Sequence, residues 1–309
     1  MTERETGGHP GVLLAGITAV VSGVSVYLNG YDLRSFPDPV LYTTAKNLIA
    51  TLVLAVGAAL VARRRSPRFP RAPRPRRLGG ALDAIGLLYV GVVGGGVAFI
   101  LFFSGLATVA AEPAAFLHAT LVGWVALLAW PVLGERPGAP AALAIGALVA
   151  GQVVVAGGVG NLVTATGELD IFGATLLWAV EVIVAKRLLR AISPDALALV
   201  RMGGGSVILL ADLAATGHLG ALGRLGASEI GWALATGLLL AGYVASWFAA
   251  LARAGATQVA AVLAGSVVVT ALLDSLAGIG ASGNELVGCI LVLAGIVALV
   301  APRARRALA

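Results

Sequence analysis

The chain has 309 residues, 59% of them hydrophobic and only 12% charged, with a formal net charge of +6 and a mean hydropathy of +0.97. A soluble domain carries roughly 25% charged residues, so this composition excludes a water-soluble fold, which would need far more polar surface. The cations lie mostly in short segments between apolar runs, which excludes a nucleic-acid-binding face, and the single cysteine, Cys289, excludes an intrachain disulfide and a thiolate metal cluster.

A bilayer core about 30 Å thick asks for roughly 17–25 apolar residues per helix. On that measure the first half of the chain is expected to span the membrane at 11–28, 39–61, 79–103, 107–133 and 139–157. The second half is expected to span it at 171–188, 195–214, 229–250, 257–276 and 284–300. The first run is as long as a span and lacks a small-residue cleavage site, so it reads as a helix rather than a signal peptide. A tight turn at Phe103-Ser104-Gly105 is expected to separate the third and fourth spans.

Charge placement tests this reading. With the N-terminus in the cytoplasm, the inside segments collect 17 of the 21 Lys and Arg, eight of them between Arg63 and Arg77. That bias is what the positive-inside rule requires, and adding or losing a span would scatter it. The expected fold is all-α and integral to the membrane, with ten transmembrane helices and both termini cytoplasmic. The basic loop 62–78 is Pro-rich and reads as a disordered topology determinant, or as a grip on anionic lipid heads.

The chain repeats. Asp38-Pro39 opens the second span and Ser193-Pro194 the seventh, a capping side chain followed by proline in each case. Seven residues after each proline comes a cation, Lys46 in one and Arg201 in the other. The fourth and ninth spans align without a gap, Leu106-Ala107 onto Leu251-Ala252 and Ala126-Leu127-Leu128 onto Ala271-Leu272-Leu273. The domains are therefore two five-helix repeats, 1–160 and 161–309. Five is odd, so the repeats enter the membrane from opposite sides and are inverted. Seven residues of helix place each cation about 10 Å inside its helix start, and a two-fold axis in the membrane plane brings both toward the midplane. Inverted repeats with polar groups near the midplane mark transporters.

In this layout the chain resembles the drug/metabolite transporter superfamily, specifically its EamA-type branch. Local marks are the basic residue in the second helix of each half, Gly134-Glu135-Arg136-Pro137 after the fourth helix, Ile145-Gly146 in the fifth, and Leu291 to Gly295 following Val287-Gly288 in the last. The resemblance implies a ten-helix transporter. Two departures stand out: Lys46 occupies a position where arginine is common, and Gly280 lies opposite Glu135, so the halves are chemically unequal.

An ionisable residue within a span is a functional candidate, because a charge at the helix centre costs roughly 2.5–3.5 kcal/mol on insertion scales. Lys46 shares its helix face with Tyr42 and Thr43, and Arg201 precedes Gly203-Gly204-Gly205, which leaves space beside it. Two roles are open to these cations, contact with solute or a buried ion pair with Glu181. Glu181 lies about 16 Å into its span, one turn from Trp178, and is a proton carrier or a structural partner. His118, midway along the fourth span, is a core histidine or a gate. Glu112, six residues earlier, faces another direction, so the two form no i,i+4 metal pair. Tyr243 and Trp247, one turn apart in the eighth span, form a cavity wall or an aromatic packing contact. Gly91-Val-Val-Gly-Gly95 contains a GxxxG step and reads as an intramolecular helix contact.

The expected function is secondary transport, in the exporting direction, of small polar metabolites such as amino acids by alternating access, with an exporter of cationic drugs as the alternative. No P-loop is present, which argues against direct use of ATP, and proton coupling stays open. No cofactor, metal or nucleic-acid partner is expected, the partners being a small-molecule substrate and the lipid bilayer. Oligomeric state is open, and a monomer suffices. A membrane-embedded enzyme would need a nucleophile, a base and an orienting group, and a scaffold or receptor would need a long recognition loop, neither of which the sequence contains. Arginine outnumbers lysine, 19 to 2, and with abundant Ala and Gly this suits a GC-rich bacterial source, hence an inner (plasma) membrane.

Overall fold

A computed structural model describes residues 8–32, 36, 38–64, 80–135, 139–155, 166–278 and 283–307. Helix α1 is Gly8–Asp32 and α2 is Pro39–Arg64. Next, α3 (Ala81–Leu88), a π-helical stretch (Tyr89–Val97) and α4 (Ala98–Leu106) form one continuous rod. They are followed by α5 (Ala111–Ala119), α6 (Leu121–Leu133), α7 (Ala139–Val155), α8 (Thr166–Leu188), α9 (Pro194–Ala215) and α10 (Ala227–Arg253). The chain ends in α11 (Ala256–Leu263), α12 (Ser266–Leu276) and α13 (Gly283–Ala307). Most of the basic loop, and the expected boundary between repeats at 160 and 161, lie outside the described residues.

Helix starts follow local chemistry. Asp38 Oδ1 accepts from the Val40 amide at 2.7 Å, and Ser193 Oγ accepts from the Ala196 amide at 3.3 Å, so both prolines enter a helix already capped. The expected turn between the third and fourth spans falls later, at 107–110 instead of 103–105. The amides of Ala107 and Val109 still bond back to Phe103 and Gly105, and the new helix begins where Pro113 fits its first turn. Gly105 serves close packing rather than a turn, since a Cβ there would overlap the carbonyl oxygen of Gly167 on α8.

Burial is inverted relative to a soluble protein. In α2 the buried side chains include Thr43, Thr44, Lys46 and Asn47, while Leu52, Val56 and Leu60 are exposed. Lipid accepts the apolar face. Inside, the Thr43 and Thr44 hydroxyls donate to carbonyls of their own helix and Lys46 to Asn29, while the Asn47 side-chain amide has no hydrogen-bond partner among the described residues. By length and composition, seven segments among the described residues suffice to cross a membrane, with mean hydropathies from 1.6 to 2.3. Among the described residues α7 (17 residues) and the apolar segment Gly283–Ala298 of α13 are shorter apolar helices, and α8 carries Glu168, Asp170, Glu181, Lys186 and Arg187.

Contacts between the two halves come in matched sets. Helix α1 packs along α10 as α8 packs along α4, and α2 packs along α10 as α9 packs along the π-helical stretch. Helices α2 and α9 lie against each other, as do α7 and α13. The first part of the fourth rod, α5, meets α12, while α6 meets α11, so the fourth and ninth rods run antiparallel. These two rods are interrupted at equivalent places, Thr120 and Ala264-Gly265. The GxxxG glycines lie inside this packing. A Cβ on Gly95 would overlap the carbonyl oxygen of Arg201, and one on Gly237 would crowd that of Lys46. Close backbone approach of this kind replaces the hydrophobic drive that lipid does not supply.

Candidate functional site

The two repeated cations sit in different cradles. Lys46 is fully buried, with Nζ 3.4 Å from the centroid of the Phe103 ring and 5.0 Å from that of Tyr42. It donates to Asn29 Oδ1 at 3.3 Å, and the Tyr42 hydroxyl donates to the same oxygen at 2.5 Å. An ammonium over aromatic faces gains about 2 kcal/mol when desolvated, which offsets part of the cost of holding it in the membrane. Arg201 instead donates from Nε to Glu181 Oε1 at 2.6 Å, with both side chains buried, and its guanidinium carbon lies 5.0 Å from the Phe99 ring centroid. The first helix of each half thus supplies the acceptor: neutral Asn29 from α1, anionic Glu181 from α8.

Glycine and π-helical winding make room for the acidic cradle. A Cβ on Gly94 would overlap the Glu181 carboxylate, and the Gly94 carbonyl accepts from Trp178 Nε1 at 2.9 Å. A π-helical stretch loosens the regular backbone ladder and is frequent at functional positions. Here its carbonyl is engaged by the side chain three residues before Glu181. The corresponding residue before Asn29 is Val26, and it and Trp178 both line the space between the halves.

That space is a cavity of about 70 Å³. Of the residues singled out in the sequence, Lys46, Arg201, Glu181, Trp178, His118, Tyr243 and Trp247 line it together. Tyr42 and Thr43 do not. Tyr42 is fully buried behind Lys46, and the Thr43 hydroxyl donates to Pro39 O within its own helix at 2.8 Å. Tyr243 and Trp247 stack on each other, 6.2 Å between centroids and 7° between planes, while also lining the wall. His118 is wedged edge-on between Phe102 and Trp178, at 5.5 and 5.1 Å between ring centroids. It is 8% exposed, and its Nδ1 has no hydrogen-bond partner among the described residues.

Sequence reasoning missed Ser22, Ser25, Asn29, Phe99, Phe102 and Phe103, all on the cavity wall. The phenylalanines carry no signal, being apolar residues in an apolar helix. Asn29 carries little more, standing near a helix end before Gly30; only the structure shows its amide buried and donating to the Ser25 hydroxyl at 3.2 Å. Asp274, in α12, is also buried, at 8% exposed.

One end of the bundle is closed by a clasp. Lys186 Nζ, at the end of α8, donates to Leu251 O at 2.5 Å and Ala254 O at 2.7 Å, capping α10. Glu135, after α6, accepts from the amides of Ala256 and Thr257 at 3.1 and 3.3 Å, capping α11. Glu135 therefore caps a helix of the opposite half. Among the described residues no group of three or more His, Cys, Asp and Glu could hold a metal ion.

Long apolar helices, polar side chains turned inward and a cavity between matched halves define a multi-pass membrane protein of the transporter kind. The sequence profile of the EamA-like transporter family matches it twice, over residues 9–157 and 165–301. The chain belongs to that family. The double match covers most of the sequence and agrees with the superfamily resemblance read from its repeats. Comparison with curated proteins finds no match in sequence. Among 28 matching chains of solved structure, one crystal structure superposes with a TM-score of 0.70, covering 96% of this chain and 99% of its own at 20% identity. At that identity the likeness shows the fold alone.

Proposed function

We propose that this protein is a secondary transporter that moves small polar metabolites such as amino acids across the bacterial plasma membrane by alternating access, in the exporting direction. Its ten spans form two inverted halves with both termini in the cytoplasm, and its site is the cavity between them. The observation that carries this reading is the meeting, in one buried cavity, of the cations that each half presents seven residues into its second helix. Cations and a carboxylate together suit a zwitterion. The cavity is narrower than the roughly 300–1,000 Å³ of small-molecule sites. A solute therefore enters only when helices part, as exchange between two half-open states requires.

The aromatic wall favours a second reading, an exporter of cationic compounds, because ring faces attract cations. Flux into proteoliposomes distinguishes the two when amino acids and quaternary amines are offered in turn. Lys46→Ala is expected to abolish amino-acid flux while the protein stays folded, and undiminished flux removes Lys46 from the site. Glu181→Gln is expected to change the dependence of flux on pH if that carboxylate carries protons; an unchanged profile leaves it a structural partner of Arg201. Cysteine placed at Ser66 is expected to react with impermeant reagents from the cytoplasmic side, and labelling from outside overturns the topology.

A further inference from the structure

A second cavity lies away from the site, on the outer face of the bundle between α1, α11 and α13. Its volume is about 770 Å³ and every lining residue is apolar. Leu13 and Ile17 of α1 form one wall, Val262 of α11 and Ile296 and Val297 of α13 the other, and Gly16 forms the floor. A Cβ added to Gly16 would meet nothing within 4 Å, so the hollow is open where a larger residue would fill it.

One end of this groove is basic. The start of α1 abuts the end of α10, since a Cβ on Gly11 would touch the backbone of Arg253 and Ala254, and the Arg253 side chain is exposed. Helix α11 begins beside that contact and runs parallel to α1, because Gly23 packs against Ser266 and Val269 further along. Helix α13 returns in the opposite sense, with Ile296 against Gly265. Seven residues beyond Ile296, about 10 Å along the helix, α13 reaches Arg303, followed by Arg305 and Arg306 in its last turns. The apolar groove therefore runs along the outer face of the bundle toward a basic rim, where the Arg253 side chain is exposed and where the helical backbone of α13 carries the sequence positions 303, 305 and 306, all arginine.

We infer that this groove holds one acyl chain of an anionic phospholipid, with its phosphate at the arginine rim. The apolar lining matches a hydrocarbon chain, and the rim supplies the opposite charge to the head group. A second copy of the chain is the poorer occupant, because a copy oriented alike in the membrane would bring its own arginines to the same rim.

The test is native mass spectrometry of the purified full-length chain, exchanged into detergent with equal amounts of phosphatidylglycerol and phosphatidylcholine. One phosphatidylglycerol per chain is expected to survive activation that strips phosphatidylcholine. Gly16→Leu, whose side chain enters open space, is expected to abolish that retention, and Val297→Trp provides the same block from the opposite wall. Arg253→Gln is expected to weaken retention about fivefold, the equivalent of one surface cation. Equal retention of both lipids, or phosphatidylglycerol retained undiminished by both filled variants, overturns the proposal. A dimer mass that either filling variant abolishes also overturns it, and assigns the groove to a second copy.

Discussion

The hydroxyls of Thr51 and Ser206 meet at 3.0 Å, and each stands twelve residues after the proline that opens its helix, Pro39 or Pro194. Helices α2 and α9 run antiparallel here, since Asp38 at the start of one lies 3.1 Å from His218 beyond the end of the other. Equivalent residues of antiparallel helices touch only where a two-fold axis passes between them. Lys46 and Arg201, five residues before this contact in each half, are thereby displaced about 7.5 Å to opposite sides of it. The cavity they share has two chemically distinct ends, one with a lysine on aromatic faces beside asparagine, the other with an arginine–carboxylate pair.

Cysteines at both positions report on that axis directly. In a Cys289→Ser background, Thr51→Cys with Ser206→Cys is expected to oxidise to an intramolecular disulfide, because the two side-chain tips already face each other and the bond tolerates little backbone movement. The readout is a mobility shift on non-reducing gels after cleavage in the basic loop. Absence of the cross-link in folded protein would remove the contact between equivalent residues.

Breaking the Arg201–Glu181 pair is expected to cost more than deleting it. Arg201→Met leaves a carboxylate buried without its partner, a loss of about 3–5 kcal/mol. The double variant Arg201→Met with Glu181→Leu removes both charges and is expected to regain most of that loss, visible as a recovered midpoint in thermal unfolding. Equal midpoints for the single and double variants would mean that the carboxylate finds another donor.

His118 presents the opposite case. Its Nδ1 is buried with no hydrogen-bond partner among the described residues, so replacement by an apolar residue forfeits no bond there. His118→Leu is expected to leave the unfolding midpoint unchanged or raised. If the imidazole contacts solute, the same variant weakens solute binding about tenfold, the worth of one net hydrogen bond near 1.4 kcal/mol. A lowered midpoint with unaltered binding would make His118 a packing residue.

The cations were legible in the sequence because a charge within an apolar run stands out, and its recurrence seven residues after a helix-opening proline marks the repeat. Asn29 was not, although it holds Lys46 as Glu181 holds Arg201. A neutral amide near a helix end followed by Gly30 looks like ordinary termination. Phe103, whose ring supports Lys46, is indistinguishable by type from the apolar residues around it, and only the packing of α4 against α2 gives it a role. The turn misplaced onto Gly105 has the same origin: glycine signals either a break or a close approach, and only the neighbouring α8 decides between them.

The clasp around the link from α10 to α11 makes the last prediction. Lys186 holds the final carbonyls of α10 while Glu135 holds the first amides of α11, so the connection is pinned from two directions by residues distant in sequence. Each side chain meets backbone groups that a helix terminus leaves without partners, and loss of such a cap costs about 0.5–2 kcal/mol. Glu135→Ala and Lys186→Ala are each expected to loosen the link, so that a cysteine replacing Ala254, itself 6% exposed, reacts faster with a soluble maleimide. If parting of the halves at this end requires release of the clasp, both variants also raise the labelling rate of a cysteine placed at Ser22 on the cavity wall. Faster reaction at 254 with no change at 22 would confine the clasp to holding the link and place the parting movement elsewhere in the bundle.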